Sequence, residues 1–155
     1  MPLIIATGSN LNDKRGSLEE AKTTLATHFT LIEESRVYVS KAVDYENQPD
    51  FYNQVLVFKT PEIEPNDLMT KLLDIESTLG RTREVLRGPR TIDIDILFLD
   101  DIISNTDHLT LPHPRLFDRS FVVLPLMELA SFKELSKRYE FKTNFDNTAS
   151  PLNFD

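Results

Sequence analysis

The 155-residue sequence contains no cysteine. That excludes a disulfide framework and a cysteine-ligated zinc. No apolar run approaches the roughly 18 residues that a membrane helix needs. The opening residues, MPLIIATGSN, have neither the basic start nor the long apolar stretch of a secretion signal. A cytoplasmic protein without a membrane partner is expected. Positive charge is scarce, with 17 Lys and Arg against 25 Asp and Glu and a net charge of −8. Such a balance argues against broad nucleic-acid binding. Neither the P-loop pattern G-x-x-x-x-G-K-S/T nor G-x-G-x-x-G occurs, so a nucleotide would have to be held in another way. There is no internal repeat and no linker.

What remains is an ordinary globular composition, 40% hydrophobic and 27% charged, long enough for one domain with its own core. Leu3–Thr7 is a short apolar run and predicts a buried strand. Ser17 and Glu20 have capping-box spacing, and Leu18, Ala21, Leu25 and Phe29 recur at helical spacing, so a first helix is expected up to Phe29. Leu31–Val39 alternates as a second strand. The polar stretch 41–50 is a loop, and the aromatic and β-branched residues of 51–60 make a third strand. Pro65 opens a second helix with the stripe Leu68, Leu72, Ile75 and Leu79, and Gly80 is placed to end it. Arg81–Arg90 is a loop, stopped by Gly88-Pro89, and Thr91–Leu99 is a fourth strand. FVVLPLMELA reads as a short helix or buried segment. The order β-α-β-β-α-β predicts an α+β, ferredoxin-like sandwich with a C-terminal extension. A single domain is expected over 1–142, with a weakly ordered tail over 143–155.

The fourth strand is unusual. Ile92, Ile94, Ile96 and Phe98 read as one apolar face, yet Asp93 and Asp95 interrupt the run. Side chains two apart on a strand share a face, with Cα atoms about 6.6 Å apart, and Leu97 and Leu99 continue it. Two carboxylates pushed together repel unless a positive charge lies between them. Magnesium, which takes oxygen ligands and is often held by one or two carboxylates plus substrate phosphates, fits; so does an exposed edge strand. Six of the nine arginines lie between Arg81 and Arg119, and Arg81, Arg83, Arg87 and Arg90 come directly before the pair. Arginine grips phosphate bidentately and keeps its charge. Cation, carboxylates and arginines are the parts of phosphoryl transfer, although arginines in a loop are also what a solvated loop carries. Phe51 and Asn53 share a face of the third strand. They suit a flat heterocycle, with the ring stacking and the amide reading the edge, and Phe121 can be a second wall; all three also suit an ordinary core. His113 sits between two prolines near Arg115 and Arg119, either as plain surface or facing phosphate.

The stretches RGPRTIDIDILFLDD, LTLPHPRLFDRSFVVLPL and QPDFYN, with GSNLND after the first strand, resemble the 6-hydroxymethyl-7,8-dihydropterin pyrophosphokinase family of folate biosynthesis. The resemblance runs in order from Ile4 to about Ala130. It implies transfer of pyrophosphate from ATP to the pterin hydroxymethyl group with release of AMP. Two Mg2+ ions are implied on Asp93 and Asp95. The implied pterin contacts are Ser40, Val43, Phe51, Asn53 and Phe121. For ATP they are Glu76, Arg83, Ile96, Thr110, His113 and Arg119, with Arg87 in the basic role of the loop. Arg81 and Arg90 match catalytic-loop arginines, and Asp95 counts among the catalytic groups.

The sequence departs from the pattern at several points. The loop after Arg83 is a residue short and lacks its usual aromatic before Gly88. Leu73, Lys41 and His108 stand where the family shows glutamine, proline and arginine, and the tail is unlike the family's. The partners expected are ATP and hydroxymethyl-dihydropterin, with no nucleic acid, and the chain is expected to be a monomer. A pterin-binding module without catalysis, a D-x-D sugar-nucleotide transferase and an RNA-binding domain are the alternatives. The short chain and the L-T-x-P-H block speak against the second; the acidic charge and the missing K/R-G-F/Y-G/A-F strand pattern speak against the third.

Overall fold

The computed structural model describes residues 2–11, 13–41, 48–80, 92–106 and 109–152. An antiparallel sheet and four α-helices make up most of it. The elements run β1 (Leu3–Ser9), α1 (Lys14–His28), β2 (Leu31–Glu34), β3 (Tyr38–Ser40), β4 (Phe51–Phe58), α2 (Pro65–Thr78), β5 (Asp93–Leu99), β6 (Ser104–Asn105), β7 (Thr110–Leu111), a 3-10 turn (Leu116–Asp118), α3 (Ser120–Met127), α4 (Phe132–Arg138) and β8 (Ala149–Pro151). The main sheet runs β5-β1-β4-β3-β8, with β2 also on β4, while β6 and β7 form a separate hairpin.

Helix α1 starts earlier than its spacing predicts. Asp13, not Ser17, is the N-cap, and its carboxylate accepts from Gly16 N at 3.0 Å. Asparagine and aspartate are as good at this position as serine. The expected stripe holds: Leu18, Ala21 and Leu25 are buried. In α2, Pro65 opens the helix, Leu68, Leu72 and Ile75 face inward, and Gly80 follows at φ 90°, where a side chain would be strained.

The strand expected over 31–39 is two strands. At the break, Ser35 N donates to Val55 O, while Val55 N donates to the Ser35 hydroxyl instead of a carbonyl. The Gln54 amide donates to Ser35 O. A side chain thus replaces one rung of the ladder, and the backbone is free to turn.

Strand β5 also departs from simple alternation. Ile5 pairs with Ile96 but Ile4 with Phe98, so Leu97 is an extra residue. Such a bulge swaps the faces beyond it. Ile92, Ile94 and Ile96 lie on the α1–α2 side with Leu99, whereas Leu97 and Phe98 both point to the other side. Phe98 therefore does not share the isoleucine face, and Leu99 does not share the aspartate face.

Both faces of the sheet are covered. One core holds Leu3 and Ile5 of β1 with α1 and α2, and the other holds Ile4, Val55, Val57, Leu97 and Phe98 with Leu116, Val122, Leu126 and Leu135. FVVLPLMELA supplies α3 of this second layer. Part of the tail joins the sheet. Residues 149–151 pair antiparallel with β3, and Leu152 N donates to Val37 O at 2.8 Å. Pro151 has no N–H to give, which suits an edge strand and keeps this one short.

Candidate active site

A cleft of about 210 Å³ opens on the α3 side of the sheet, at the ends of β1, β4 and β5. Register explains why it lies there. Gly8 of β1 is opposite Asn53 on one side and Asp93 on the other, and Ala6 is opposite Asp95. The row Asn53–Gly8–Asp93 therefore crosses three neighbouring strands. Gly8 matters as an absence of side chain: a Cβ there would lie 3.4 Å from Asn53 Oδ1 and 3.8 Å from the Phe51 ring. The sheet floor stays open between the amide and the carboxylate.

The Asn53 side chain is buried and held. Its Nδ2 donates to Ser40 Oγ at 2.8 Å, and Ser40 is itself buried. The segment entering β4 is tied down as well. Asn10 Nδ2 donates to Gln48 Oε1 at 2.7 Å and to Pro49 O at 3.1 Å, and Lys14 Nζ donates to Asp50 O while lying 4.7 Å from the centre of the Tyr52 ring. Phe51 and Phe121 line the cleft from β4 and α3, and Arg119 lies over the Phe121 ring at 5.6 Å.

Asp93 and Asp95 line the cleft together, as their shared strand face requires. Facing them are His113, Arg115 and Arg119. The backbone N of His113 donates to Leu97 O at 3.0 Å, and its Nδ1 accepts from Arg115 N at 3.2 Å. The neutral ring therefore carries its proton on Nε2. Burial, with the nearby charges of Arg119 and Arg115 outweighing that of Asp93, lowers the imidazole pKa to about 4. At neutral pH the ring is an uncharged donor.

Of the residues singled out in the sequence, the cleft brings together Ser40, Phe51, Asn53, Asp93, Asp95, His113, Arg119 and Phe121. Glu76, Ile96 and Thr110 are not part of its lining. Ile96 is buried in the α1–α2 core and Thr110 lies in β7. The Glu76 carboxylate is buried and accepts from Ile94 N at 2.7 Å, between the two aspartates. Val43, Arg81, Arg83, Arg87 and Arg90 lie outside the described residues, as does His108. Gly8, Gln48 and Leu97 line the cleft without having been singled out. GSN and QPD were the only signals for the first two, whereas strand alternation had placed Leu97 on the face of Asp93 and Asp95 without giving it a role.

The chemistry of this lining divides in two. One set offers aromatic rings and an amide, suited to a flat heterocycle with a polar edge. The other set, which meets the first where Arg119 lies over Phe121, offers two carboxylates with cationic and neutral donors, suited to phosphate with a divalent cation.

Comparison with known proteins points the same way. The family described as 7,8-dihydro-6-hydroxymethylpterin-pyrophosphokinase matches residues 4–131. A 2-amino-4-hydroxy-6-hydroxymethyldihydropteridine pyrophosphokinase of Bacillus subtilis is 41% identical over 127 residues, 81% of this chain and 75% of the relative. One of the same name from Aquifex aeolicus is 40% identical over 122 residues, 79% of this chain and 76% of the relative. A folic acid synthesis protein of Dictyostelium discoideum is 36% identical over 126 residues, but the match spans only 19% of that longer protein. The chain belongs to the 7,8-dihydro-6-hydroxymethylpterin-pyrophosphokinase family.

Proposed function

We propose that this chain transfers pyrophosphate from ATP to the hydroxymethyl group of 6-hydroxymethyl-7,8-dihydropterin and releases AMP, in folate biosynthesis. The observation that carries this reading is the single cleft in which Asn53, Phe51 and Phe121 meet Asp93 and Asp95, with His113 and Arg119 beside them. The pterin is assigned to the aromatic set, stacked on Phe51 and Phe121 and read along its edge by Asn53, with Ser40 and Val43 at its border.

The other donor set fits magnesium. Two carboxylates on one strand face are what Mg2+ takes when water and phosphate supply its remaining ligands. Asp93 and Asp95 would hold the ions, two in number by resemblance. Mg2+ bound there would neutralise phosphate charge. The chain's own residues do the rest. Arg119 and neutral His113 bind phosphate oxygens, and Glu76 holds the aspartate strand through Ile94 N. The pterin hydroxyl attacks the β-phosphorus, the bond to the α-phosphate oxygen breaks, and AMP leaves. The hydroxyl proton passes to Asp95 or to solvent. Arg81, Arg83, Arg87 and Arg90 are assigned to the ATP side, with Arg81 and Arg90 acting mainly on the transition state; Ile96 and Thr110 are assigned to the nucleotide. Catalysis is then mostly positioning and charge stabilisation.

The strand order supports a finer reading of the fold. With β2 and β3 taken as one interrupted strand, β5-β1-β4-β2/β3 is the order a ferredoxin-like βαββαβ unit gives. The third layer and β8 are additions to it. Among the described residues no helix is long and apolar enough to cross a membrane; a cytoplasmic monomer is part of the proposal.

The test is an AMP-release assay with ATP, Mg2+ and hydroxymethyl-dihydropterin. AMP should appear in equal amount to pyrophosphorylated pterin. Asp95→Ala should lower kcat by more than about a hundredfold, since oriented metal is worth several kcal/mol, while its circular dichroism stays native. Pterin binding without AMP release by the wild type would favour a binding module. Near-normal turnover by Asp95→Ala would overturn the metal assignment.

A further inference from the structure

Residues 146–152 lie beyond the stretch that matches the family, yet they touch two walls of the cleft. The contact is made by one amide that uses every hydrogen-bonding position it has. Asn147 Oδ1 accepts from Ser120 N at 2.8 Å and from Ser120 Oγ at 2.6 Å. Its Nδ2 donates to Asp118 O at 2.8 Å and to Asp146 Oδ1 at 2.9 Å. The backbone is therefore gripped on both sides of Arg119 and immediately before Phe121. Helix α3 begins here, and its own N-cap residue, Arg119, supplies no side-chain cap. Asn147 provides from a distance what a local cap would normally provide.

Two residues further on, the same segment becomes β8. Ala149 pairs with Ser40, whose hydroxyl accepts from Asn53. A five-residue stretch, 147–151, is thus tied both to the α3 wall and to the strand that carries Ser40. Helix α3 also meets β3 directly, and Glu128 at its far end bonds Arg36 and Tyr38; the tail adds a tie at the end that carries Arg119 and Phe121.

We propose that Asn147 is a positioning residue for this site: with β8 it sets the separation between the Arg119–Phe121 wall and the Ser40–Asn53 wall. The proposal rests on the cleft being the pterin and nucleotide site. It does not require Asn147 to touch either substrate. Without the amide, Ser120 N, Ser120 Oγ and Asp118 O lose their partner, and the start of α3 must shift or take in water. The aromatic wall and the arginine shift with it.

The test uses the full chain and separates positioning from plain stability. Asn147→Ala should raise the pterin dissociation constant and the KM for ATP by about tenfold, measured well below the melting temperature, with a smaller fall in kcat; small displacements of a positioned wall carry costs of this size. Asn147→Asp keeps the acceptor for Ser120 but sets an oxygen against Asp118 O and Asp146 Oδ1, so it should recover only part of the loss. Coupling is reciprocal, so the wild type offers a check that needs no variant. Saturating pterin should slow hydrogen exchange at the amides of Ser120, Ala149, Ser150 and Leu152. Failure of wild-type protein to bind pterin would overturn the site reading and this proposal together. Wild-type binding and turnover with unchanged affinities in Asn147→Ala, or exchange at those amides indifferent to pterin, would overturn the proposal alone.

Discussion

A histidine half-buried between two arginines resists protonation, and that gives His113 a testable signature. Its pKa falls from 6.5 to about 4 because burial and the charges of Arg119 and Arg115 outweigh Asp93. The unfolded chain takes up a proton near pH 6.5 that the folded chain refuses until about pH 4. Stability at this site is therefore present above pH 6.5 and declines as pH falls towards 4. Urea unfolding across that range should show a steeper loss in the wild type than in His113→Gln. Equal slopes would mean that the ring is already charged when folded. Asn53 makes the second residue-scale prediction. Asn53→Ala removes a buried amide assigned to the pterin edge, so titration calorimetry should show much weaker pterin binding and little change for ATP. A loss of ATP affinity with pterin affinity intact would place Asn53 with the other set. Two aspartates two apart in an isoleucine run drew notice in the sequence, but the residues alone left an edge strand open for them and an ordinary core open for Phe51 and Asn53. Gly8 and Gln48 drew no notice. Gly8 acquires meaning only when β1 lies between β4 and β5, and Gln48 only when Asn10 holds it, and both pairings are remote in sequence.

At the scale of elements, periodicity located β1, α1, β4, α2 and β5, left α3 open as a helix or buried segment, and did not find α4 or the β6–β7 hairpin. It misplaced the irregularities because each depends on a partner elsewhere. The break at Ser35 exists because its hydroxyl serves Val55, twenty residues away. The bulge at Leu97 exists in the pairing with β1 and leaves no mark on β5 alone. The strand at 149–151 needs the free edge of β3. Helix α3 ends on a similar remote contact. Glu128 accepts from Arg36 N at 3.0 Å, Arg36 Nε at 2.8 Å and the Tyr38 hydroxyl. Burial and the bond to Glu128 push the Tyr38 phenol up to about 12. For Glu128 itself, burial opposes ionisation, but the bonds from Arg36 and Tyr38 prevail and lower its pKa below 4.5. A lowered carboxylate pKa stabilises the fold fully above the unfolded value and loses that contribution as pH falls through the folded one. Glu128 and Arg36 are both exposed to solvent, which screens the pair, so Glu128→Ala should cost only about 0.5–1.5 kcal/mol at pH 7, and the gap to wild type in urea unfolding should narrow below pH 4.5. A constant gap down to pH 3 would assign the loss to packing rather than charge.

The whole molecule is three layers sharing one sheet, and its behaviour on unfolding follows from how β1 is used. Leu3 and Ile5 face the α1–α2 core while Ile4, between them, faces the α3–α4 core, and all three are fully buried. The same alternation holds in β4, where Leu56 and Phe58 face one way and Val55 and Val57 the other. Neither helical layer can lose its packing without exposing apolar groups on strands that the other layer also covers. The two cores should behave as one cooperative unit, even though only one of them walls the cleft. Leu72 in α2 and Leu126 in α3 are essentially inaccessible, one in each core. Truncating either to alanine should cost about 2–5 kcal/mol. Because the cores share β1 and β4, each variant should still give a single transition, with far-ultraviolet dichroism and tyrosine fluorescence coincident. The tyrosines make this a fair test, since Tyr52 packs on the α1–α2 core and Tyr139 on the α3–α4 core. In Leu126→Ala the weakened layer is the one that carries Phe121, so pterin affinity should fall more than in Leu72→Ala at equal loss of stability. Two separated transitions in Leu126→Ala would mean that the cleft layer unfolds on its own and that the sheet does not couple the cores.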